Sequence, residues 1–300
     1  MTAASPLVSV IIPCFNRETT VHEAVLSVLT QDYDPIELIA VDDNSTDGTI
    51  AVLESIDDPR LRILHNSGDR GPSQARNHGI RSSTAPWIAF QDSDDIWLPG
   101  KLKRQMDYLQ DSDFVAAYCG MLIKKDTHPE TPVKYRRPAP ETSPLEGDIL
   151  PSLALENYIS TQMLVVRHDI LDQIGGFDEA LPALVDWELM LRVASLGPVA
   201  FIDDDLVVQR MSENSLTHSS KKRLAAQEHI LKKHYDLLGR YPGVLAHHHH
   251  RIAGGHRALG QYTTAASHGW AAWQAQPGNL RYLFHATYLM LRTLGRLRTT

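Results

Sequence analysis

The sequence predicts an α/β protein built on a mostly parallel sheet flanked by helices, with a helical C-terminal extension. Three observations carry this reading. Short apolar runs rich in β-branched residues alternate with segments of helical periodicity over the first hundred residues. The joints between them are short and polar, as in strand–helix–strand units. From Ser219 onward the strand-like runs stop and the chain is helical in texture.

The elements follow in order. Leu7 to Ile12 reads as a buried strand ended by Pro13. Thr20-Val21-His22-Glu23 has capping-box spacing, and Val21, Ala24, Val25, Val28 and Leu29 then recur at helical intervals. Ile36 to Val41 is a second strand, Thr46 to Ser55 a helix and Arg60 to Leu64 a third strand. Gly71-Pro72-Ser73 opens a helix from Gln74 to Arg81, and Trp87 to Phe90 is a fourth strand. Beyond it come a helix from Pro99 to Gln110 and a strand from Asp113 to Cys119. Residues 126–147, with five prolines, read as one long loop. Met163 to Arg167 restores a strand, a short helix leads to Gly175-Gly176-Phe177-Asp178, and Asp186 is placed as the N-cap of the next helix. Val199 to Ile202 and Leu206 to Val208 are the last two strands.

Composition sets limits. A chain that is 43% hydrophobic and 22% charged is globular, with room for one sizeable core and a smaller module. A net charge of -7 lacks the basic footprint of a nucleic-acid binder, so no nucleic acid is expected as partner. The two cysteines, Cys14 and Cys119, give no disulfide framework, and a reduced cytoplasmic compartment is expected. The N-terminal stretch has no positive leader pattern, and no apolar run elsewhere reaches a membrane span.

The chemistry concentrates just past strand ends. Pro13, Asp43 and Asp92 all fall there, where open α/β sheets collect ligands. Asp92-Ser93-Asp94-Asp95 brings three carboxylates into four residues, which repel one another unless a cation is supplied or one is protonated. Carboxylate oxygens are hard ligands suited to Mg²⁺ or Mn²⁺ held jointly with substrate phosphates. Asp43 to Glu54 nearly fits a calcium-binding EF-hand loop, but the segment before it is a strand where that motif needs a helix.

Val8 to Asn16, Val41 to Thr49, Ala75-Arg76-Asn77, Asp92-Ser93-Asp94-Asp95, Gly175-Gly176-Phe177-Asp178 and Asp186-Trp187 occur in that order. Together they resemble the inverting family 2 glycosyltransferases of the GT-A fold, a Rossmann-like architecture. The resemblance covers about residues 7–210. It implies a nucleotide-diphosphate-sugar donor, with UDP-sugars the first candidates, a carbohydrate or lipid-linked carbohydrate acceptor, and Mn²⁺ or Mg²⁺. Pro13, Phe15 and Asn16 with Asp42 and Asp43 would line the nucleotide end, Asp43 toward the base. Arg76 would face the ribose or diphosphate. Asp94 would be the main metal ligand, with Asp92 sharing the metal or the ribose and Asp95 as the alternative. Asp186 would be the general base that activates the acceptor hydroxyl.

Two departures stand out. The family often has Glu before the catalytic Asp, and here the residue is Val185. It often places Tyr-Arg-x-His late in the domain, and the matching run here is Gln209-Arg210-Met211-Ser212. Ser212 then takes the place of a metal ligand, and His218 is a substitute candidate on a lid. Cell-surface polysaccharide or glycoconjugate synthesis is the expected setting, by analogy with the family.

Competing readings are a non-catalytic sugar-nucleotide-binding scaffold acting through its helical tail and a nucleotidyltransferase. The latter would want a Gly-rich, Lys-bearing loop after the first strand, which Pro13-Cys14-Phe15-Asn16 is not. The expected domains are 1–218, the transferase, and 219–300, the helical extension. Within the extension, Arg257 to Gln276 resembles a single helix-turn-helix unit and His247 to His250 reads as a solvated run. Leu280 to Arg298 is aromatic, Leu-rich and free of acids. It suits an interfacial helix at the inner face of a membrane, a partner helix or a packed terminal helix.

Overall fold

The computed structural model describes residues 7–66, 70–139, 141–211 and 220–297. Contacts divide the chain into two compact units: residues 1–153, 158–179 and 185–213, and residues 154–157, 180–184 and 214–300.

The first unit holds a nine-stranded sheet. Its amino-terminal half is β1 (Val8–Cys14), α1 (Val21–Leu29), β2 (Ile36–Asp42), α2 (Thr49–Glu54), β3 (Leu61–His65), α3 (Pro72–Ser82) and β4 (Trp87–Phe90). β2 lies parallel to both β1 and β3, and β4 lies parallel to β1 on its other side. The spatial order 3-2-1-4 therefore reverses between β1 and β4, and the gap beyond their carboxyl ends is where such sheets bind ligands. Val10, Ile11, Ile12, Leu38, Ile39, Ile88 and Phe90 are fully buried, as expected of strands covered on both faces.

The second half turns the sheet mixed. β5 (Ile96–Trp97), α4 (Lys101–Leu109), β6 (Ala116–Lys124), β7 (Val133–Arg137), α5 (Leu150–Leu155), β8 (Val165–Arg167), α6 (His168–Ile174), α7 (Val185–Ala194) and β9 (Val199–Arg210) complete the strands. β8 pairs antiparallel with β4 and β6, β7 with β6 and β5 with β9, while β6 and β9 are parallel. The sheet is thus evenly mixed rather than mostly parallel.

Several local expectations need correction. β1 continues through Pro13, whose missing N–H is tolerated because the parallel ladder to β2 goes on to Cys14 and Asp42. Thr20 does not cap α1; its hydroxyl donates to the Ser93 carbonyl at 2.9 Å and so ties α1 to the acidic segment. The long loop contains β7, whose Arg136 pairs with Asp203 and Asp205 of β9. Those charges also hid the continuity of β9, which is one strand with a register shift at Gly120. α7 starts at Val185, so Asp186 lies in its first turn rather than at its cap.

The second unit contains α8 (Ser220–Lys233), α9 (Tyr235–Leu238), α10 (Val244–Ala258), α11 (Tyr262–Ala275) and α12 (Leu280–Leu297). Ala253, Ala265, Ala266 and Leu289 form a small core in which alanines let α10, α11 and α12 approach closely. The histidine run is packed rather than solvated. His248 is buried with Nε2 2.6 Å from the Ala154 carbonyl, His249 pairs with His268 and His250 with His285.

Candidate active site

The loops after β1 and β2 form one hydrogen-bonded platform. Asn16, in a left-handed conformation (φ 51°), donates its N–H to Ser45 Oγ at 3.0 Å and accepts from the Thr46 N–H at 2.8 Å. Both Asp42 oxygens face the Ser45 N–H, at 3.3 and 3.2 Å. Asp43 accepts from Asn66 Nδ2 on one oxygen and the Gly71 N–H on the other, both at 2.8 Å. It thereby joins the ends of β2 and β3 to the start of α3. Phe15 is 45% exposed at the end of β1, a large apolar ring left open beside this platform.

α3 presents Arg76. Gly79 allows the approach, since a Cβ there would sit 2.6 Å from Ile11 Cγ2 of β1. The Arg76 side chain is buried, its Nη2 lies 2.5 Å from Asp92 Oδ1, and its guanidinium lies 5.5 Å from the Phe177 ring centre. Arg76 Nε is buried with no acceptor among the described residues. An orphaned donor of this kind is costly unless a ligand satisfies it.

The acidic segment leaves β4 beside that arginine. Its three carboxylates differ. Asp95 is buried, with Oδ1 accepting from the Arg210 N–H at 2.9 Å and Oδ2 from Gln162 Nε2 at 2.7 Å. Burial, then the charges of Asp92 and Asp94, push its pKa well above the usual carboxylate range. Asp94 has Arg17 Nη2 at 3.4 Å. Burial and the Asp92 charge also raise its pKa, and Arg17 only partly offsets this. Asp95 is thus engaged by protein donors on both oxygens, whereas Asp92 and Asp94 face arginine side chains.

Asp186 is held by a different route. Gly175-Gly176-Phe177 follows α6, and Asn77 of α3 accepts from the Phe177 N–H at 2.8 Å and donates to its carbonyl at 2.9 Å. Gly176, at φ 70°, lies so close to Asn77 that a Cβ would collide with its amide. α7 is pinned by Arg192 Nη1 to the Ile174 carbonyl at 2.7 Å, and Arg192 forms a two-pronged pair with the buried Glu188. Trp187 Nε1 donates to the Leu153 carbonyl at 2.7 Å. The Asp186 carboxylate accepts from its neighbour's N–H, Trp187, at 2.8 Å.

The sequence-predicted residues thus fall into three groups: Asn16, Asp42 and Asp43 in the platform, Arg76, Asp92 and Asp94 at the β4 end, and Asp186 on α7. Ser212 and His218 lie outside the described residues. Arg17, Asn77, Gln162 and Phe177 were missed as contributors. Arg17 directly follows Asn16, and Asn77 and Phe177 sit inside two of the six motifs. Gln162 carries no such signal, because only the fold brings it to Asp95.

Comparison with known proteins now adds identity. The family model for glycosyl transferase family 2 matches residues 9–175. An uncharacterized glycosyltransferase of Rickettsia typhi is 30% identical over 227 residues, 75% of this chain and 70% of that protein. The Escherichia coli UDP-Glc:alpha-D-GlcNAc-diphosphoundecaprenol beta-1,3-glucosyltransferase WfaP is 29% identical over 246 residues, 81% of this chain and 89% of the relative. S. aureus TarS 1–349, solved with UDP-GlcNAc, superposes with a TM-score of 0.67 at 17% identity, covering 88% of this chain and 81% of that one. The mannosyltransferase PcManGT of Pyrobaculum calidifontis, solved with GDP-Man and Mn²⁺, gives 0.63 at 19% identity, covering 98% and 88%. At such identities the structural likeness speaks for the fold alone, which is GT-A. The family model spans more than half of the chain, and the chain belongs to glycosyl transferase family 2.

Proposed function

We propose that the chain moves a sugar from a nucleotide-diphosphate sugar, a UDP-sugar first, to an acceptor hydroxyl by one inverting displacement assisted by a divalent cation. The observation that carries this is the Arg76–Asp92 pair beside the crowded Asp94 carboxylate, with Arg76 Nε lacking an acceptor. The donor set fits a hard cation: two carboxylates whose side-chain ion partners among the described residues are Arg76 and Arg17, next to a third acid already satisfied by protein donors. Asp94 and Asp92 would hold Mn²⁺ or Mg²⁺, which when bound would offset the charge developing on the departing nucleoside diphosphate.

This chain's own residues divide the remaining work. Arg76 is a permanently charged planar donor, suited to a diphosphate oxygen through the unused Nε. Phe15 and Pro13 offer an apolar surface beside the nucleoside, and Asn16, Asp42 and Asp43 keep that surface in place. Each Asp43 oxygen retains a second lone pair for a base N–H. Asp186 would take the proton from the acceptor hydroxyl as it attacks the anomeric carbon from the face opposite the leaving group. No protein nucleophile is required. The reaction is assigned to residues 1–218, with 219–300 a helical extension.

The relatives' donors support the class: TarS was solved with UDP-GlcNAc, and WfaP is named for UDP-Glc. WfaP is also named for a diphosphoundecaprenol-linked acceptor, which favours a lipid-linked acceptor here and work at the inner face of a membrane. No described helix is long and apolar enough to cross a membrane. On α12, Leu280, Phe284, Leu291 and Leu294 are 57–70% exposed on a helix with no acidic residue, which suits shallow contact with anionic lipid. A panel of nucleotide sugars with Mn²⁺, read by nucleotide release, tests the main proposal. Release from at least one donor is expected. Tight donor binding with no release, whatever the acceptor, leaves the sugar-nucleotide-binding scaffold instead.

A further inference from the structure

The second unit carries a cluster that glycosyl transfer does not use. Glu228 of α8, His256 of α10 and His268 of α11 bring one ligand atom each to within 4.8 Å of the others. Both imidazoles address the same carboxylate oxygen: His256 Nε2 is 2.9 Å and His268 Nε2 3.9 Å from Glu228 Oε1. Four tetrahedral ligands at Zn²⁺ bond lengths stand about 3.3–3.5 Å apart, so side-chain adjustments that close at most about 1.4 Å between any two ligand atoms would seat one ion.

Proton placement sharpens the case. His256 Nδ1 lies 2.6 Å from Gln261 Oε1, so that nitrogen carries the proton it donates. Its Nε2 lone pair then faces a carboxylate, acceptor against acceptor, unless a second proton or a cation lies between them. His268 also turns Nε2 toward Glu228, and its Nδ1 lies 3.0 Å from His249 Nδ1, where either ring can be the donor. In each ring the nitrogen away from the cluster is anchored by a neighbour, which is how metal-binding histidines are oriented. The rings are stacked with centres 5.8 Å apart. His256 is buried, whereas the Glu228 side chain is 38% exposed, which leaves one side open for water as a fourth ligand.

We propose that Glu228, His256 and His268, oriented by Gln261 and His249, bind one divalent transition metal of the Zn²⁺ class and so staple α8, α10 and α11. Two imidazoles and one carboxylate favour such an ion over the hard Mg²⁺ or Mn²⁺ expected at Asp94. The proposal does not depend on the transfer reaction.

The test uses the full chain, stripped with chelator and titrated with Zn²⁺ at pH 7.5 against a competing chromophoric chelator. One equivalent is expected to bind tightly and to raise the melting temperature, because the site exists only in the folded chain. Glu228→Gln, an isosteric change at a part-exposed position, and His268→Gln should both remove this tight phase while circular dichroism stays unchanged. Gln261→Ala should weaken it by ~10–100-fold. Asp94→Ala should leave it intact. Loss of the tight phase in Asp94→Ala, its survival in both ligand variants, or no tight phase in the wild type would each overturn the proposal. If Glu228→Gln unfolds, Co²⁺ spectra of wild type and Gln261→Ala decide. A four-coordinate spectrum in the wild type, shifted or weakened by Gln261→Ala, supports the site, and its absence overturns it.

Discussion

β2 and β4 each end in a set of aspartates, and the two ends are built in opposite ways. After β2, Asp42 and Asp43 have their oxygens directed at Ser45, Asn66 and Gly71, and the Asp42 side chain is 5% exposed. After β4, the partners of Asp92 and Asp94 are arginines, and their side chains are 26% and 24% exposed. Uncharged backbone and amide donors fix a carboxylate for the sake of the loops around it. Arginines leave charge and space that a cation and a diphosphate can use. The β2 end is therefore fixed by the protein itself, and the β4 end is where metal and diphosphate chemistry is expected, although both read alike as acids past a strand.

The largest effect is expected at neither strand end but on α7: Asp186→Asn should lower transfer by ~10²–10⁴-fold while donor affinity stays near wild type. Wild-type turnover by this variant would remove Asp186 from the mechanism. Asp94→Ala should cost about 10²–10³-fold in turnover. It should also weaken nucleotide-sugar binding without lowering the melting temperature, because it relieves like-charge crowding. Asp43→Ala should also weaken nucleotide-sugar binding, through the lost base contact, but with a stability cost that Asp94→Ala does not carry. It removes the carboxylate that accepts from Asn66 Nδ2 and the Gly71 N–H, so about 1–3 kcal/mol of stability should be lost in urea melts. A stability loss for Asp94→Ala as large as that for Asp43→Ala would erase the distinction between the two ends.

A buried charge outside both sets gives a smaller, pH-dependent check. Lys101 of α4 is fully buried, with Nζ 2.7 Å from Gln105 Oε1 and 3.8 Å from the Trp97 ring centre. Burial lowers its pKa to about 8, below its usual value of 10.5. Below pH 8 the folded chain carries the full cost of the buried charge. Between about 8 and 10.5 the unfolded chain holds more protons, so this cost is relieved as pH rises. Across that window, wild-type stability should gain on Lys101→Met by up to about 3 kcal/mol. A constant difference between the two proteins would mean that Lys101 titrates normally.

How much of this was legible depends on where each signal resides. β1, β2 and β4 read directly because buried parallel strands are continuous apolar runs, and the six motifs fix their own order. β7 was hidden because Val133-Lys134-Tyr135-Arg136-Arg137 is short, largely exposed and set among five prolines. β9 looked broken because Asp203, Asp204 and Asp205 interrupt it, and their partners Arg136 and Arg104 come from distant segments. At the site, residue types and strand-end placement were visible, but the division of labour was not. Whether an aspartate is a strut or a ligand depends on donors such as Gln162 and Asn66, which no local pattern assigns. The histidine run was misjudged for the same reason, since His268 and His285 come from the two following helices.

The central claim is that the β4 end holds a cation and a diphosphate as one unit. Calorimetric titration of UDP into the wild-type chain, with Mn²⁺ and then with excess chelator, tests it most directly. The account predicts that chelation weakens UDP binding at least tenfold, about 1.4 kcal/mol, and that Asp94→Ala binds equally weakly under both conditions. Equal UDP affinity of the wild type with and without the metal would contradict it.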